Sequence, residues 1–320
     1  MKGGNDMEQD IFQRLLALLD DLSEEQREQL KQLLDGERDF ERIASMIDSR
    51  IAEDRKCAHC GSTNVGAWGK RRGIQRYRCR DCKRTFNALT NSPLAHLHKI
   101  DRWLNMAMAI KETWSVRKTA THCGIAVSTA FRWRHRFLKA ATEEKPGKLE
   151  DIAEADETYF RESLKGCRQL DRPARKRGGK ASKRGLSAEQ VPVLIARDRY
   201  GAVIDAVLPD QTKISVKKAL GGRLGADNIL CIDGGNALWG FASDEKIPVK
   251  VILAGDYVHK GDPIFHIQNV NGYHHRLKAW MVRFCGVATK YLSNYLGWRR
   301  VIEKPGAILT PTAWLQTALG

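Results

Sequence analysis

Two short cysteine motifs constrain this chain more than anything else in it: Cys57-Ala-His-Cys60 and Cys79-Arg-Asp-Cys82, with 18 residues between them. Two CxxC knuckles at that separation converge on one tetrahedral zinc ion, a borderline-soft cation that favours thiolate ligands. Cys57, Cys60, Cys79 and Cys82 are therefore read as the ligands of one structural Zn²⁺ in a ribbon over residues 56–92. His59 lies inside a knuckle but is surplus beside four thiolates. The other four cysteines, Cys123, Cys167, Cys231 and Cys285, stand alone and read as small hydrophobes. Between the knuckles, Trp68 and Tyr77 sit among Lys70, Arg71, Arg72, Arg76 and Arg78, with Arg80 inside the second knuckle. Two readings fit that crowd: a surface offered to phosphates, or solvated charge around a zinc stitch.

The charge of the chain is lopsided. It carries 54 Lys/Arg against 38 Asp/Glu, but residues 1–55 hold 8 against 15, leaving 46 against 23 for the remainder. A polyanion is the expected partner of the basic part, although basic balance by itself also suits ribosomal or membrane-surface proteins. No apolar run of about 18 residues occurs, and the N-terminus lacks the basic-then-apolar layout of a secretory leader. The expectation is a cytoplasmic, nucleoid-associated protein with no membrane partner. In the acidic segment 1–55, Phe12, Leu15, Leu16 and Leu19, then Leu30, Leu33 and Leu34, then Phe40, Ile43, Ile47 and Ile51 recur at helical spacing. Ser23 before Glu24 and Glu25 reads as an N-cap, and Gly36 as a stop. The segment is expected to form a helical hairpin packed on itself or on a neighbouring subunit, an assembly element of a homo-oligomer.

Residues 98–142 carry a second pattern. A helix is followed by Val116–His122, a Cys123-Gly124-Ile125 turn, and a second helix expected to start on Ser128 as N-cap. Two short helices across a glycine turn, the second loaded with Arg132, Arg134 and Arg136, match a helix-turn-helix whose second helix enters the major groove. Helix pairs of this shape also occur in proteins that bind no DNA.

Beyond a charged connector the periodicity changes. Short β-rich runs cover 155–160, 191–197, 202–208, 229–233 and 249–253, with helical patterns near 213–221, 236–243 and 270–287. The expectation is a mixed α/β sheet covered by helices, over residues 150–302, followed by a tail at 303–320. Inserted after the first strand, residues 168–185 hold eight Lys/Arg and three glycines. This loop, with Arg175, Lys176 and Arg177, either folds onto a DNA backbone or is merely solvated. Asp156 lies in the first strand, and Asp233 ends the fourth, where Gly234 and Gly235 let the backbone turn sharply and a substrate come close. Each aspartate alone is weak evidence, since a strand-capping Asp is commonplace. Asn271 follows 38 residues after Asp233, and seven residues later Lys278 shares its helical face about 10 Å away.

The knuckles, the helix pair, Asp156 in DETYF, Asp233 in IDGGN and the stretch HIQNVNGYHHRLKAWMVRFCGVATKYLSNYLGWRR together resemble the insertion-sequence transposases of the fifteen-ninety-five type, also called the ISXO type. The likeness covers residues 55–302 and is most specific over 266–300. It implies a multi-domain chain: helical N-terminus, zinc ribbon, helix-turn-helix, then an α/β ribonuclease H-like catalytic domain of the DDE superfamily. It also implies an active set of Asp156, Asp233, Asn271 and Lys278, the first three holding two Mg²⁺ or Mn²⁺. Where many relatives place glutamate this chain has Asn271, which offers only a neutral carbonyl oxygen. The implied activity is cleavage at transposon ends and joining of the freed 3′-hydroxyls to target DNA. Double-stranded DNA is the partner; His275, beside the active helix face, is a further contact candidate. Two alternatives stand: a DNA-binding regulator whose catalytic half has decayed, and a two-metal nuclease that only hydrolyses.

Overall fold

The computed structural model describes residues 13–320 except 15, 17, 20, 21, 53, 171, 174, 176–178, 180, 184–186, 254, 257 and 308. Phe12 and Leu15 of the first expected helix and Lys176 and Arg177 of the basic loop lie outside the described residues, as do the side chains of Leu33 and Leu34. The chain divides into two compact units, the first ending at Ala107 and the second running Met108–Gly320.

In the first unit, α1 (Glu24–Ser49) starts as the sequence suggests. Gln26 N donates to Ser23 Oγ at 3.2 Å while Ser23 N donates to Gln26 Oε1 at 2.9 Å, a reciprocal cap. Gly36, read as a stop, is instead an interior residue of this helix. A mid-helix glycine costs about 1 kcal/mol, which the buried Ile43 and Ile47 further along offset. The C-terminal half of α1 packs on the ribbon. Gln75 N donates to Asp48, and Arg50 donates to the Ala88 carbonyl at 2.7 Å. The ribbon itself is β1 (Val65–Arg71), β2 (Ile74–Cys79) and β3 (Thr85–Phe86), antiparallel in that order. The β1–β2 turn requires Gly73 on two counts: its φ is +74°, and a Cβ there would stand 2.4 Å from Phe40 Cζ.

Helix α2 (Trp103–Lys111) runs across the division between the units. Ser115 caps α3 (Val116–Cys123), accepting from Lys118 N, and Gly124 ends it in the left-handed conformation. Helix α4 (Val127–Glu143) begins after Ala126 and has no side-chain cap. Ser128 therefore lies inside the first turn rather than capping it. After the Gly124–Ile125 turn Ala126 is extended, and its carbonyl accepts from Thr129 N and Ala130 N as helical hydrogen bonding resumes.

The second unit is built on a five-stranded mixed sheet. Strands β4 (Ile152–Arg161), β5 (Gln190–Asp198), β6 (Val203–Val207), β7 (Ile229–Ile232) and β8 (Val249–Val251) are ordered β6-β5-β4-β7-β8. The first three pair antiparallel, while β7 and β8 run parallel to β4. Alternation along β4 splits the sheet's faces. Ala153 and Ala155 join Leu194, Ile204 and Leu230 in a core closed by α5 (Lys213–Leu220) and α6 (Asn236–Asp244) through Val216 and Phe241. Glu154 and Asp156 point the other way, toward α7 (Gln268–Val282).

Helix α8 (Leu292–Glu303) crosses α4 closely enough that a Cβ on Gly297 would stand 2.6 Å from the Ala141 carbonyl oxygen. Residues 303–320, read as a tail, carry α9 (Pro311–Leu319), capped by Thr310 with proline in its first turn. Its Trp314, Leu315 and Leu319 are buried, and the helix packs on α4. Among the described residues no helix is long and apolar enough to cross a membrane.

Candidate active site and nucleic-acid interface

The four knuckle cysteines do meet. Cys57 Sγ lies 3.6 Å from Cys82 Sγ and Cys60 Sγ 3.7 Å from Cys79 Sγ, with all four sulfurs within 4.8 Å of one another. Ligands at about 2.3 Å from a tetrahedral zinc stand about 3.8 Å apart, so the donor set fits that ion. None of the cysteines is in a disulfide. The knuckle backbone is folded for anionic sulfur, with His59 N donating to Cys57 Sγ. The His59 ring turns away from the cluster, within 3.3 Å of the Thr85 carbonyl.

The three arginines of α4 separate into different environments. Arg132 is exposed and Arg136 half-buried. Arg134 is 1% exposed: its guanidinium donates to the Trp114 carbonyl at 2.5 Å and to Thr119 Oγ1 at 3.2 Å, and lies 5.4 Å above the Trp298 ring. Arg134 is thus a strut between α3, α4 and α8, not a DNA contact. Helical geometry dictates this: it shares the inward face of α4 with Ala130, Phe137, Leu138 and Ala141, all buried. The outward face presents Ser128, Arg132 and Lys139.

The acidic residues are mounted on the sheet. Asp156 stands in mid-β4 opposite Ile195. Asp233 follows β7 directly, exposed, with Gly235 N donating to its Oδ1 at 3.2 Å. Because β7 is short and parallel to β4, this places its terminal carboxylate beside the middle of the longer strand. Burial above all, and then the Asp233 charge, pushes the Asp156 carboxyl up to about 7. Lys278, from α7, pulls in the opposite direction on the same group. His274, one turn before Lys278, brings Nδ1 to 3.6 Å from Asp156 Oδ2. Burial and the Lys278 charge push His274 down to about 4, so it is a neutral packing partner near pH 7 rather than an ion-pair donor. Asn271, His274 and Lys278 recur at three- and four-residue steps along α7; His274 is buried against β4, while Lys278 is exposed. Asn271 is exposed as well. His275, the next residue after His274, is also exposed.

Glu157 was not singled out in the sequence and belongs to this neighbourhood. It points to the α6 side of β4, and burial followed by the Asp233 charge raises its pKa. The bare Cα of Gly235 leaves room for both: a Cβ there would lie 3.6 Å from Asp233 Oδ1 and 3.9 Å from Glu157 Oε2. The available signal was the unusual adjacency of two acids inside a strand, a placement that costs stability unless something cationic offsets it. The carboxylate oxygens, the outlying amide and the uncompensated charge together suit hard, oxygen-seeking divalent cations. Oxygen donors of this kind are the type that magnesium or manganese takes; among the described residues, the four cysteines are the one group of metal-ligating side chains drawn together within 4.8 Å.

Lys278 also borders a groove of about 830 Å³ lined by Arg161, Lys165, Arg172, Arg175, Met281 and Val282 among others. Arg175 is held there by Glu162, whose carbonyl it meets at 3.0 Å and whose carboxylate at 3.6 Å.

A homeodomain-like domain family matches residues 97–144, the span of the helix pair. Across 274 residues the chain is 31% identical to an uncharacterized protein in transposable element ISH50 of Halobacterium salinarum, covering 82% of this chain and 91% of that protein. Two solved structures show distant likeness. One is the simian T-cell lymphotropic virus intasome in complex with PP2A regulatory subunit B56 gamma, at 11% identity and TM-score 0.29, covering 62% of this chain and 68% of that one. The other is a pre-cleavage Mos1 transpososome, at 11% identity and TM-score 0.23, covering 67% and 76%.

Proposed function

The chain belongs to the insertion-sequence transposases, and from that premise we propose that it cuts the ends of its element and joins them to target DNA. The observation that carries this reading is that Asp156 and Asp233, 77 residues apart in sequence, stand on adjacent strands, Asp233 at the end of β7 beside the middle of β4, with the Lys278 charge of α7 acting on Asp156. The sheet with helices on both faces suits the ribonuclease H-like domain expected of such an enzyme.

Asp156 and Asp233 would hold the divalent ions, with Glu157 close by and Asn271 supplying a carbonyl oxygen from α7. Two magnesium or manganese ions bound there would sharpen the attacking oxygen and neutralise charge on the scissile phosphate. Lys278 contributes a fixed cation to a phosphate oxygen near the carboxylates. In the first step a water oxygen attacks the phosphodiester at each end; its P–O3′ bond breaks and the proton passes to solvent, freeing a 3′-hydroxyl. In the second step that hydroxyl forms a new P–O bond in target DNA and displaces a target 3′-oxygen. No bond energy is lost between the two ester states, so joining needs no nucleotide cofactor. Selection of the ends falls to the helix pair. Ser128 and Arg132 on the outward face of α4 would read base edges, and the basic ribbon and the Arg175 loop would hold phosphates. Pairing two ends calls for at least two subunits, which the acidic helical N-terminus would help assemble.

The decisive comparison is wild type against Asp233→Ala on DNA carrying the inverted repeats, with Mg²⁺. Binding is expected within about twofold of wild type, and cleavage is expected to fall at least a hundredfold. A regulator would keep all its activity in the variant. Supplying pre-cut 3′ ends separates the remaining alternative, since a nuclease that only hydrolyses yields no joined product.

A further inference from the structure

The His266–Asn271 stretch was read for its asparagine alone, yet two of its other polar residues turn to a carboxylate outside the acidic set. Glu154, on β4 two residues before Asp156 and on the same face, is fully buried. Its Oε2 accepts from Val270 N at 2.8 Å and its Oε1 from Asn269 Nδ2 at 3.0 Å, both in the first turn of α7. Arg199, just past β5, donates to Oε1 at 2.5 Å and reaches the Ile264 carbonyl with its other nitrogen at 2.9 Å. His266, immediately before α7, lies 3.3 Å from Oε1 and within 2.9 Å of the Arg199 guanidinium. A buried carboxylate is costly unless several donors converge on it, and here they come from β5's end, the incoming loop and a helix N-terminus at once. The helix dipole adds to the attraction, since the anion stands at its positive end.

We infer that Glu154 is a positioning residue for the proposed reaction: it clamps the start of α7 to β4 and so fixes Asn271 and Lys278 against Asp156. Val270, whose amide it holds, is the neighbour of Asn271, and Asp156 is one pleat along from Glu154 itself. One carboxylate therefore sets the offset between the two elements that carry the site. The inference rests on the reading of Asp156, Asp233, Asn271 and Lys278 as the active set.

The test uses the full chain with zinc bound and compares wild type, Asp233→Ala, Glu154→Gln and Asn269→Ala. Glu154→Gln keeps the size and one carbonyl acceptor but drops the charge that Arg199 faces. Asn269→Ala removes one donor and leaves the buried ion pair intact, so it remains informative should the first variant fold poorly. Hydrogen exchange at the α7 amides without divalent metal, Mn²⁺ binding followed by electron paramagnetic resonance, and the Mg²⁺ level for half-maximal single-turnover cleavage are measured on each. The expectation for both clamp variants is at least tenfold faster exchange in the first turn of α7 with the β4 and β5 amides unchanged. Mn²⁺ binding should weaken about fivefold, the Mg²⁺ requirement should rise to match, and binding of end DNA without metal should stay within twofold. Unchanged Mn²⁺ affinity, with cleavage lost only in proportion to the unfolded fraction, would overturn the clamp. Asp233→Ala separates the two claims. If it leaves Mn²⁺ binding unaltered the active-set reading falls and takes the clamp with it; if it abolishes binding, the Glu154 and Asn269 variants decide the clamp alone.

Discussion

Asp156 is held where a negative charge is unwelcome. Its carboxyl sits at about 7 because burial and Asp233 both oppose ionisation, whereas the unfolded chain ionises it near 3.8. Between those values the folded chain retains a proton that the unfolded chain has released. Stability therefore falls as pH rises through that window and stays lower above it. Asp156→Asn removes the penalty. With zinc bound and no magnesium, the variant should be more stable than wild type at pH 8, by on the order of 2 kcal/mol after screening, and nearly equal to it at pH 4. Thermal melts at the two pH values check this; the same gain at both would mean that the carboxylate is not the source. The proposed cations reverse the sign, since they favour the charged form that the apo protein resists. The strand positions of Asp156 and Asp233 were legible in sequence because each lies within or at the end of an apolar run, although neither aspartate stood out on that ground alone. The role of Glu154 was not legible, because whether a buried acid in a strand serves chemistry or architecture depends on donors contributed from residues 199, 266, 269 and 270. Arg134 failed for the same reason: an arginine on a groove-binding helix and an arginine bonded to the Trp114 carbonyl look alike until the fold brings Trp114 and Trp298 to it.

Element positions were the most readable layer, because strand and helix periodicity is local. The five β-rich runs fall on β4 to β8 and the three helical patterns on α5, α6 and α7. What the sequence hid is how elements meet. The sequence shows α4 only as the arginine-bearing second helix of a helix-turn-helix, whereas α8 and α9 pack on it, and Arg300 of α8 donates to the Ala141 carbonyl at 2.7 Å while also pairing with Asp205. Two helical glycines test this packing against intrinsic propensity. A Cβ on Gly297 would collide with the α4 backbone at 2.6–2.8 Å, and backbone cannot swing aside. On Gly240 it would meet the flexible Lys213 side chain at 3.1 Å. Alanine favours a helix over glycine by about 1 kcal/mol, so Gly240→Ala should be neutral or stabilising by up to about that amount. Gly297→Ala should instead destabilise by about 1–3 kcal/mol, since overpacking outweighs propensity. Urea denaturation of both variants decides, and a stabilising Gly297→Ala would mean that α8 does not approach α4 as described.

At the scale of the whole chain the two units draw their stability from different sources. In the first unit the knuckles have only a small core around Cys57, Tyr77, Cys79 and Phe86, so that even with α1 packed on the ribbon and its Ile43 and Ile47 buried the knuckle end depends on a staple. Its zinc site would supply that staple, because metal binding to a site absent from the unfolded chain is folding free energy. The second unit has instead the sheet core around Leu194, Ile204, Leu230 and Phe241, and the α4–α8–α9 packing with Trp298 and Trp314 buried in it. Unfolding should accordingly show two separable transitions. A strong zinc chelator is expected to abolish the protection of amides in residues 57–86 against exchange while leaving β4 and β5 protected. Trp314→Ala should do the opposite, lowering the stability of the sheet unit by about 3–5 kcal/mol through the cavity it opens, with the ribbon amides unmoved. A chelator that collapsed the sheet together with the ribbon would show that the units fold as one, and that zinc governs the proposed catalytic centre as well as the knuckles. If the transitions do separate, zinc loss would cost the protein its ribbon contacts with DNA while Asp156, Asp233 and Lys278 keep their arrangement. The chelated chain should then bind end DNA more weakly and still weaken further with salt through the α4 surface.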